Sequence, residues 1–249
     1  MTQETLIFTL VILLIFVGLF LFFLARLRTG QRPYLRRIQA FEALKGFSGR
    51  AIETGRPLHL SLGVGGVANQ TTADTLAGLA VLNYLAHQAA ATGAQPTISM
   101  ADPTVMLFAQ NAMRAAQGSN AQGIEEAYRN IRWIAPQPAA YAAGVMSLLI
   151  IENVEANVMV GNFGDEYLLM GETAARRGIA HIGGASDPNT LPFVYASAQE
   201  TLLGEEMYAA GAYLQKLPAH ISSLLVQDTV RWLIALTILA GVVLASFGN

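Results

Sequence analysis

The 249-residue sequence contains no cysteine, and only 13% of its residues are charged. The absence of thiols excludes a disulfide framework, a zinc site built on thiolates and a cysteine nucleophile. The charged fraction is about half that of an average soluble domain, in which roughly a quarter of the residues are charged. Hydrophobic residues make up 53% of the chain, and a chain this apolar must bury its surface instead of remaining disordered. The net charge of −2 provides no general attraction to nucleic acid.

The amino end carries a long uncharged run. The 21 residues from Thr5 to Ala25 are dominated by Leu, Ile and Phe, and a helix of that length spans the hydrocarbon core of a bilayer. A secretory signal would carry its positive charge before the apolar run, whereas here Glu4 precedes the run and Arg26 follows it. We therefore predict an uncleaved transmembrane helix over residues 1–25.

A shorter uncharged run of 16 residues lies near the carboxyl end, from Trp232 to Phe247. As a helix it is about 24 Å long, and Arg231 and Trp232 suit the membrane interface. We predict a second transmembrane helix over residues 232–249, preceded by a connector over residues 218–231.

Five arginines follow the first apolar run with no acid among them. They are Arg26, Arg28, Arg32, Arg36 and Arg37. Basic segments of this kind stay on the cytoplasmic side of a membrane. Both termini are therefore expected outside an inner (plasma) membrane, with the central region in the cytoplasm. The same arginines are expected to contact anionic headgroups of the lipid bilayer.

An amphipathic helix is predicted from Tyr34 to about Glu53, and with the arginines it forms a connecting segment over residues 26–56. Its apolar stripe suits either the membrane surface or its own domain. Between Ile38 and Val230 the chain carries nine basic and sixteen acidic residues, a balance of −7. An acidic body argues against nucleic acid as a partner, because nucleic acid requires a basic face.

Short apolar runs alternate with helical stretches through the middle of the chain. The predicted strands are Leu58–Leu62, Thr97–Met100, Ile131–Ile134, Asn157–Val160, Ile179–Ile182 and a last strand near Phe193–Ala196. The predicted helices are Thr72–Thr92, Pro103–Ala116, Ala139–Asn153, Asp165–Arg177 and about Gln199–Lys216. This alternation predicts an α/β domain over residues 57–217, a mostly parallel Rossmann-like sheet with helices on both faces, flanked by the two transmembrane helices.

Residues 134–151 carry no charge, which raises the alternative of a third membrane span. Pro136 and Pro138 break the beginning of the run, and the 13 residues from Ala139 to Ile151 are too few to cross a bilayer. We predict a core helix there.

Two stretches are more apolar than the outer helices of a lone α/β domain. Between Thr71 and Met113 the only charges are Asp74 and Asp102, and residues 139–151 have none. A helix that is apolar most of the way round must be covered on most sides, and a second copy of the chain is the simplest cover. The sequence therefore predicts a homo-oligomer.

A glycine-rich loop follows the first predicted strand. Gly63, Gly65, Gly66 and Ala68 satisfy the pattern G-x-G-x-x-A, in which glycines let the backbone approach a pyrophosphate at a helix amino end. Asp102 is the candidate acid at the end of the second strand, although it lies 34 residues beyond Ala68 instead of the usual interval of about 20. The alternative is a tight strand-to-helix turn that only packs closely.

Two further loops are expected at the same edge of the sheet. Asn162, Asp165 and Glu166 follow the fourth predicted strand, and Asp187 follows the fifth. At the carboxyl end of a parallel sheet these residues are candidates for a crevice that binds a cation or supports general-base chemistry. The helix dipole alone also favours acids in a first helical turn, and the loops contain no basic residue to hold a phosphate.

Recognisable catalytic patterns are absent from the sequence. The histidines, His59, His87, His181 and His220, lack metal-ligand spacing, and no serine lies in a G-x-S-x-G context. Within its strand pattern, His181 is expected to be a hydrogen-bonded core residue. We predict no metal and no cofactor, assign no catalytic residue, and do not favour an enzymatic role.

The residues Glu42-Ala43-Leu44 and the segment from Gly55 to Gly63, Gly-Arg-Pro-Leu-His-Leu-Ser-Leu-Gly, stand between a membrane helix and an alternating domain. In this setting most of the chain resembles an uncharacterised prokaryotic family of membrane-anchored domains of unknown function. The resemblance implies the same architecture and brings no activity, cofactor or catalytic residue with it.

These observations predict a membrane-anchored homo-oligomeric scaffold or docking protein. Two alternatives stay open. One is a nucleotide-binding or small-ligand-binding module, a sensor or an enzyme, that uses the loop from Gly63 to Ala68. The other is an accessory subunit that joins further subunits of a larger membrane complex.

Overall fold

The computed structural model describes residues 3–30 and 33–247, and the chain divides into two units. The terminal segments, residues 1–36 and 216–249, form one unit, and residues 37–215 form an α/β domain. The elements in chain order are α1 (Gln3–Arg28), α2 (Gln39–Thr54), β1 (Leu58–Gly63), α3 (Thr72–Thr92), β2 (Thr97–Met100), α4 (Pro103–Gln117), α5 (Ala121–Arg129), β3 (Ile131–Trp133), α6 (Pro138–Ile151), β4 (Ala156–Asn162), α7 (Glu166–Arg176), β5 (Ala180–Ala185), α8 (Leu191–Ser197), β6 (Glu200–Leu203) and α9 (Pro218–Phe247).

The terminal unit consists of α1 and α9. Both helices are long and apolar enough to cross a membrane, so the chain has two candidate membrane-spanning helices at its ends. The helices touch each other, because the Ser222 hydroxyl donates to the Phe20 carbonyl at 2.8 Å and Val226 is fully buried. The predicted connector over residues 218–231 belongs to the continuous helix α9.

The α/β domain is built on six parallel strands in the order β3-β2-β1-β4-β5-β6. Every residue of β1 is buried, as expected for a central strand covered on both faces. Helices α3 and α4 pack on one face, and α6, α7 and α8 pack on the other. The predicted mostly parallel, Rossmann-like sheet is confirmed.

Local signals explain where several helices begin. Asp102 is the N-cap of α4 and accepts from the backbone amides of Thr104 at 2.7 Å and Val105 at 3.2 Å, while Pro103 occupies the first turn. Asn120 caps α5, a helix that the sequence analysis did not predict, by accepting from the Gly123 amide. The amphipathic helix α2 begins at Gln39 and buries one side in the α/β domain, so its apolar stripe docks on its own domain.

The last strand was predicted in the wrong place. The segment Phe193–Ala196 lies within the helix α8, and the sixth strand is β6, at Glu200–Leu203. The β-branched and aromatic side chains of residues 193–195 favour a strand locally, but Pro192 occupies the first turn of a helix there. The helix predicted over Gln199–Lys216 is also wrong. After β6 the chain forms a 3-10 segment, Gly204–Ala209, and a π turn, Gly211–Gln215.

These irregular segments explain how the apolar helix α3 is covered. The 3-10 segment and the π turn both pack on α3, and the Gln215 side chain donates to the Ala80 carbonyl at 3.3 Å. Part of the cover of α3 therefore comes from its own chain, while Leu76 stays 52% exposed.

Candidate functional site

The strand order places a topological switch point, the position of the predicted crevice, between the carboxyl ends of β1 and β4. The chain passes from β1 to β2 on one side of this point, and from β4 to β5 on the other. Open α/β sheets bind ligands at such a switch point. The loops after β1 and β4 meet here, since the Val64 amide donates to the Asn162 carbonyl at 2.9 Å. The structure thus brings the predicted glycine loop and the predicted Asn162 together.

The glycines of the first loop are required for close packing. Gly63 has a φ of 80°, in the left-handed region that favours glycine. A Cβ atom at Gly65 would lie 2.7 Å from the Thr75 hydroxyl and 2.8 Å from the Asn162 Cβ. Helix α3 and the end of β4 therefore approach the loop more closely than a side chain at Gly65 would allow.

Gly66 and Asp102, both predicted for a cofactor site, lie next to each other. A Cβ atom at Gly66 would lie 2.8 Å from the Asp102 Oδ2, while the Asp102 Oδ1 caps α4. The Gly66 amide donates to the Thr71 hydroxyl at 2.9 Å, and Ala68 has a φ of 68°. Gly66 therefore allows the close approach of Asp102, and Asp102 caps a helix of the same domain.

The centre of the crevice is the carboxylate of Asp74, in the first turn of α3. It is only 7% exposed and accepts hydrogen bonds from three donors on separate elements. These are the Asn162 Nδ2 at 2.9 Å, the Ser186 hydroxyl at 2.8 Å and the Tyr208 hydroxyl at 2.5 Å. Burial, with the hydrogen bond to Asp74, raises the pKa of Tyr208 above its usual value, which keeps this phenol protonated as a donor. Asp74 therefore joins α3, β4, the loop after β5 and the 3-10 segment.

The remaining predicted acids lie around this centre with different exposures. Glu166 is 7% exposed and accepts from the Gly164 amide at 2.8 Å, which closes the turn after β4. Asp165 is exposed at the start of α7. Asp187 accepts from the Asn189 amide at 3.0 Å in the loop after β5. None of these acids belongs to the Asp74 hydrogen-bond cluster.

The charge at this edge of the sheet has one sign. The loops at the carboxyl ends of the strands, with the helical turns that follow them, carry seven acids and no lysine or arginine: Asp74, Asp102, Asp165, Glu166, Asp187, Glu205 and Glu206. Clefts lined by one sign of charge concentrate ions of the opposite sign. A phosphate would therefore meet repulsion here, and a cationic or uncharged ligand would not.

A polar layer lies inside the domain on the face covered by α6 and α7. His59 contacts the Asn157 side chain at 2.7 Å and the Ser99 hydroxyl at 2.8 Å. The Tyr141 hydroxyl joins the same layer through Ser99 at 2.9 Å and Ser61 at 2.7 Å. All of these side chains are buried, so each depends on the others for its hydrogen bonds.

His181 extends this layer to α7. Its ring contacts the Asn157 side chain at 3.2 Å and the Tyr167 hydroxyl at 3.0 Å. The prediction that His181 is a hydrogen-bonded core residue is confirmed. Burial lowers the pKa of both His59 and His181 to about 4, which keeps both rings neutral near pH 7.

The outer face of α6 is exposed and has no charge. Its exposed residues are Pro138, Ala139, Ala140, Ala143, Ser147, Ile150 and Ile151, and Ile151 alone is 77% exposed. The inner face buries Tyr141, Val145 and Leu149 against the sheet. Helix α6 is therefore apolar on both sides, as the sequence suggested for residues 139–151, and the domain covers only one of them.

Four of the predicted lipid-contacting arginines lie at the end of α1 or just before α2. Arg26 and Arg28 lie in the last turn of α1, and Arg36 and Arg37 precede α2. Arg32 lies outside the described residues. Within residues 3–30 and 33–247, no group of three or more histidine or acidic side chains could hold a metal ion.

The fold and this crevice define the class of protein: a parallel α/β domain with a switch-point crevice in a chain that carries two candidate membrane helices. The whole chain, residues 1–249, matches the family described as Domain of unknown function (DUF6754), and the protein belongs to this family. This agrees with the expected resemblance to an uncharacterised family. No curated protein and no solved structure matches the chain.

Sequence reasoning missed three residues of the crevice centre: Asp74, Ser186 and Tyr208. Asp74 was noticed only as one of two charges in a long apolar stretch. A lone acid in the first turn of an apolar helix after a glycine loop was the available signal. Nothing in the sequence indicated that Tyr208 belongs to the site, because its segment was predicted to be a helix.

Proposed function

We propose that this protein is a membrane-anchored homo-oligomeric scaffold whose copies dock through the outer face of α6. The observation that carries the proposal is the uncharged, exposed outer face of α6 described above. Exposed apolar faces on a folded domain mark sites of protein association. The neighbouring helix α7, in contrast, exposes the ion pair between Glu172 and Arg176, as expected for a solvated surface.

The shape of the α6 face supports a helix-to-helix contact. Ala140, Ala143 and Ser147 are small, so a second helix can approach closely, since side-chain size sets the distance between packed helices. If the α6 face packs on the same face of a second copy about a two-fold axis, one contact covers the exposed apolar side chains of both copies. Two membrane helices would also hold the copies in one plane and raise their effective concentration.

A single charge on this face tests the proposal. We expect Ala143→Arg to abolish the oligomer that amine-reactive cross-linking captures in native membranes, because the arginine would be desolvated at the contact. Ala115→Arg is the matched control, since Ala115 is an exposed alanine on α4. Equal cross-linking of both variants and the parent protein would contradict docking through α6. A monomer that co-purifies with a different protein would favour the accessory-subunit alternative.

We also propose that the α/β domain lies in the cytoplasm and that both termini lie outside an inner (plasma) membrane. The five arginines after the first apolar run support this orientation, and anionic lipid headgroups are their proposed contact. Because the chain has no cysteine, Glu125→Cys provides a single reporter in the domain. A membrane-impermeant maleimide should label it in inside-out vesicles only, and labelling in right-side-out vesicles would contradict the orientation.

A second candidate function is small-ligand binding in the switch-point crevice, beside the loop from Gly63 to Ala68. The Asp74 cluster favours it, because side chains from three separate elements donate to one buried carboxylate on α3. The surrounding acids favour a cationic or uncharged ligand over a nucleotide. Thermal-shift screening of the intact protein with nucleotides and with small amines tests the candidate. Stabilisation by an amine that Asp74→Asn abolishes would support it, and no stabilisation by either class would contradict it.

A further inference from the structure

A cavity lies at the amino-terminal edge of the sheet, opposite the Asp74 cluster. It has a volume of about 320 Å³ and lies between the end of α2, the turn before β4 and the turn before β5. Ligand pockets commonly have volumes from about 300 Å³ upward. Three arginines line it: Arg50, Arg56 and Arg177.

The cavity has an excess of positive charge. Its one acid is Glu155, which is shared between two arginines: the Arg50 Nε at 3.2 Å and the Arg56 Nη1 at 3.4 Å. Three guanidinium groups against one carboxylate leave a balance of +2. The carboxyl edge of the same sheet carries only acids, so the domain separates its charge between its two edges.

Arg56 is held in place before any ligand arrives. Its Nε donates to the Asn153 carbonyl, and its Nη2 donates to the Asn153 side-chain oxygen and the Val154 carbonyl, all at 2.9 Å. Asn153, just past the end of α6, has a φ of 47°, the left-handed conformation that asparagine adopts at helix carboxyl ends. A preorganised guanidinium loses little freedom when it binds a ligand.

The other two arginines have donors to spare. Arg50 uses its Nε on Glu155, and its guanidinium lies 4.6 Å from the centre of the Phe47 ring. In the described part of the chain, neither the Arg50 Nη atoms nor the Arg177 guanidinium has an acceptor within hydrogen-bonding distance. These donors are available to a ligand in the cavity.

We infer that this cavity binds a phosphate group. Planar guanidinium groups match the paired oxygens of a phosphate. Arg50 and Arg177 have free donors for those oxygens, and Arg56, whose donors are mostly used within the domain, adds its positive charge. The group can belong to a soluble phosphate or to the headgroup of an anionic lipid. The inference concerns the edge of the sheet opposite the crevice and does not depend on docking through α6.

Thermal-shift titration of the intact protein in a mild non-ionic detergent tests this inference. The probes are inorganic phosphate, dihexanoyl phosphatidylglycerol and, as a zwitterionic control, dihexanoyl phosphatidylcholine. We expect saturable stabilisation by phosphate or by the anionic lipid and none by the zwitterionic lipid. Stabilisation by phosphate identifies a soluble source as sufficient, whereas stabilisation by phosphatidylglycerol alone identifies a lipid headgroup.

The variant Arg177→Gln tests whether the probe binds in this cavity. Since Arg177 makes no side-chain bond within the described domain, the variant should fold normally and bind the successful probe at least about tenfold more weakly. Arg129→Gln, on the exposed surface of α5, is the matched control and should bind like the parent protein. No stabilisation by either anionic probe, or equal affinity in both variants and the parent, would overturn the inference. Ile150 lines the cavity and also belongs to the outer face of α6, but the expected binding does not require α6 docking and is expected in a monomer too.

Discussion

The hydroxyl of Tyr141, on the inner side of α6, lies 2.7 Å from the hydroxyl of Ser61 on β1. Burial raises the pKa of Tyr141 to about 12, so the phenol keeps its proton and remains able to donate. The same oxygen lies 2.9 Å from the Ser99 hydroxyl on β2. The helix proposed to dock copies is thereby fixed to β1, which leads into the glycine loop, and to β2, which leads to Asp102.

Removal of the Tyr141 hydroxyl should destabilise the α/β domain. Tyr141→Phe leaves the Ser61 and Ser99 hydroxyls buried with one partner fewer, which costs about 1–3 kcal/mol. Thermal unfolding of the intact protein in detergent measures the change. Tyr128→Phe, at an exposed position on α5, is the control and should shift the midpoint little. Equal shifts for the two variants would mean that the Tyr141 hydroxyl contributes nothing.

The two buried histidines should make the domain sensitive to acid. Burial lowers the pKa of His59 and His181 from 6.5 to about 4, so the unfolded chain takes up protons at a higher pH than the folded domain. Their contribution to stability is therefore fully present above pH 6.5 and is lost as the pH falls towards 4. One pKa unit corresponds to about 1.4 kcal/mol, which gives a loss of about 3 kcal/mol for each histidine.

The melting temperature, measured as a function of pH in variants, distinguishes the contribution of these histidines from that of the other titratable groups. We expect His181→Gln to flatten the decline between pH 6.5 and pH 4 relative to the parent protein. His87→Gln is the control, because His87 is exposed on α3 and should leave the slope unchanged. A parent protein whose melting temperature is constant over this range would contradict the assignment of neutral buried rings.

Loss of the Asp74 charge should destabilise the α/β domain. In Asp74→Asn, one of the three donors of the cluster would face an amide nitrogen instead of an oxygen, which costs about 1–3 kcal/mol of stability. Asp165→Asn removes an exposed acid of the same edge and should change stability by less than about 0.5 kcal/mol. Urea unfolding of the intact protein compares them, and an unchanged midpoint for Asp74→Asn would show that the cluster is not held by the carboxylate.

Two glycine-to-alanine changes should act in opposite directions. Gly65→Ala places a Cβ atom 2.7 Å from the Thr75 hydroxyl and should destabilise the domain by about 1–3 kcal/mol through overpacking. Gly46→Ala lies in α2 with nothing within 4 Å and should stabilise it by about 0.5–1 kcal/mol. Thermal unfolding measures the change in stability of each variant. A stabilising Gly65→Ala would contradict the close approach of α3 to the loop.

The central sheet was predictable because its strands are short apolar runs bounded by glycine loops and capped helices. Leu58–Leu62 and Thr97–Met100 show this pattern, and the structure confirms them as β1 and β2. The carboxyl-terminal part was not predictable in the same way. At Phe193–Ala196 local strand propensity competed with a proline in a helical first turn, and tertiary packing against α3 overrode the helical composition of residues 204–215.

The crevice was predictable only in outline. Asn162 and the glycine loop were placed at one edge because parallel strands end together. The Asp74 cluster includes Tyr208, which lies in the 3-10 segment after β6. The position of that segment is set by tertiary packing and could not be predicted from the sequence pattern. The apolar character of residues 139–151 was visible, but only the structure separates the outer face of α6 from its buried face.

The oligomeric state of the intact protein tests the scaffold proposal most directly. Size-exclusion chromatography with light scattering in mild detergent gives the protein mass, which should be a multiple of the 26.6 kDa chain. We expect a homo-oligomer that Ala143→Arg converts to a monomer. A parent protein that is a clean monomer at micromolar concentration would contradict the account.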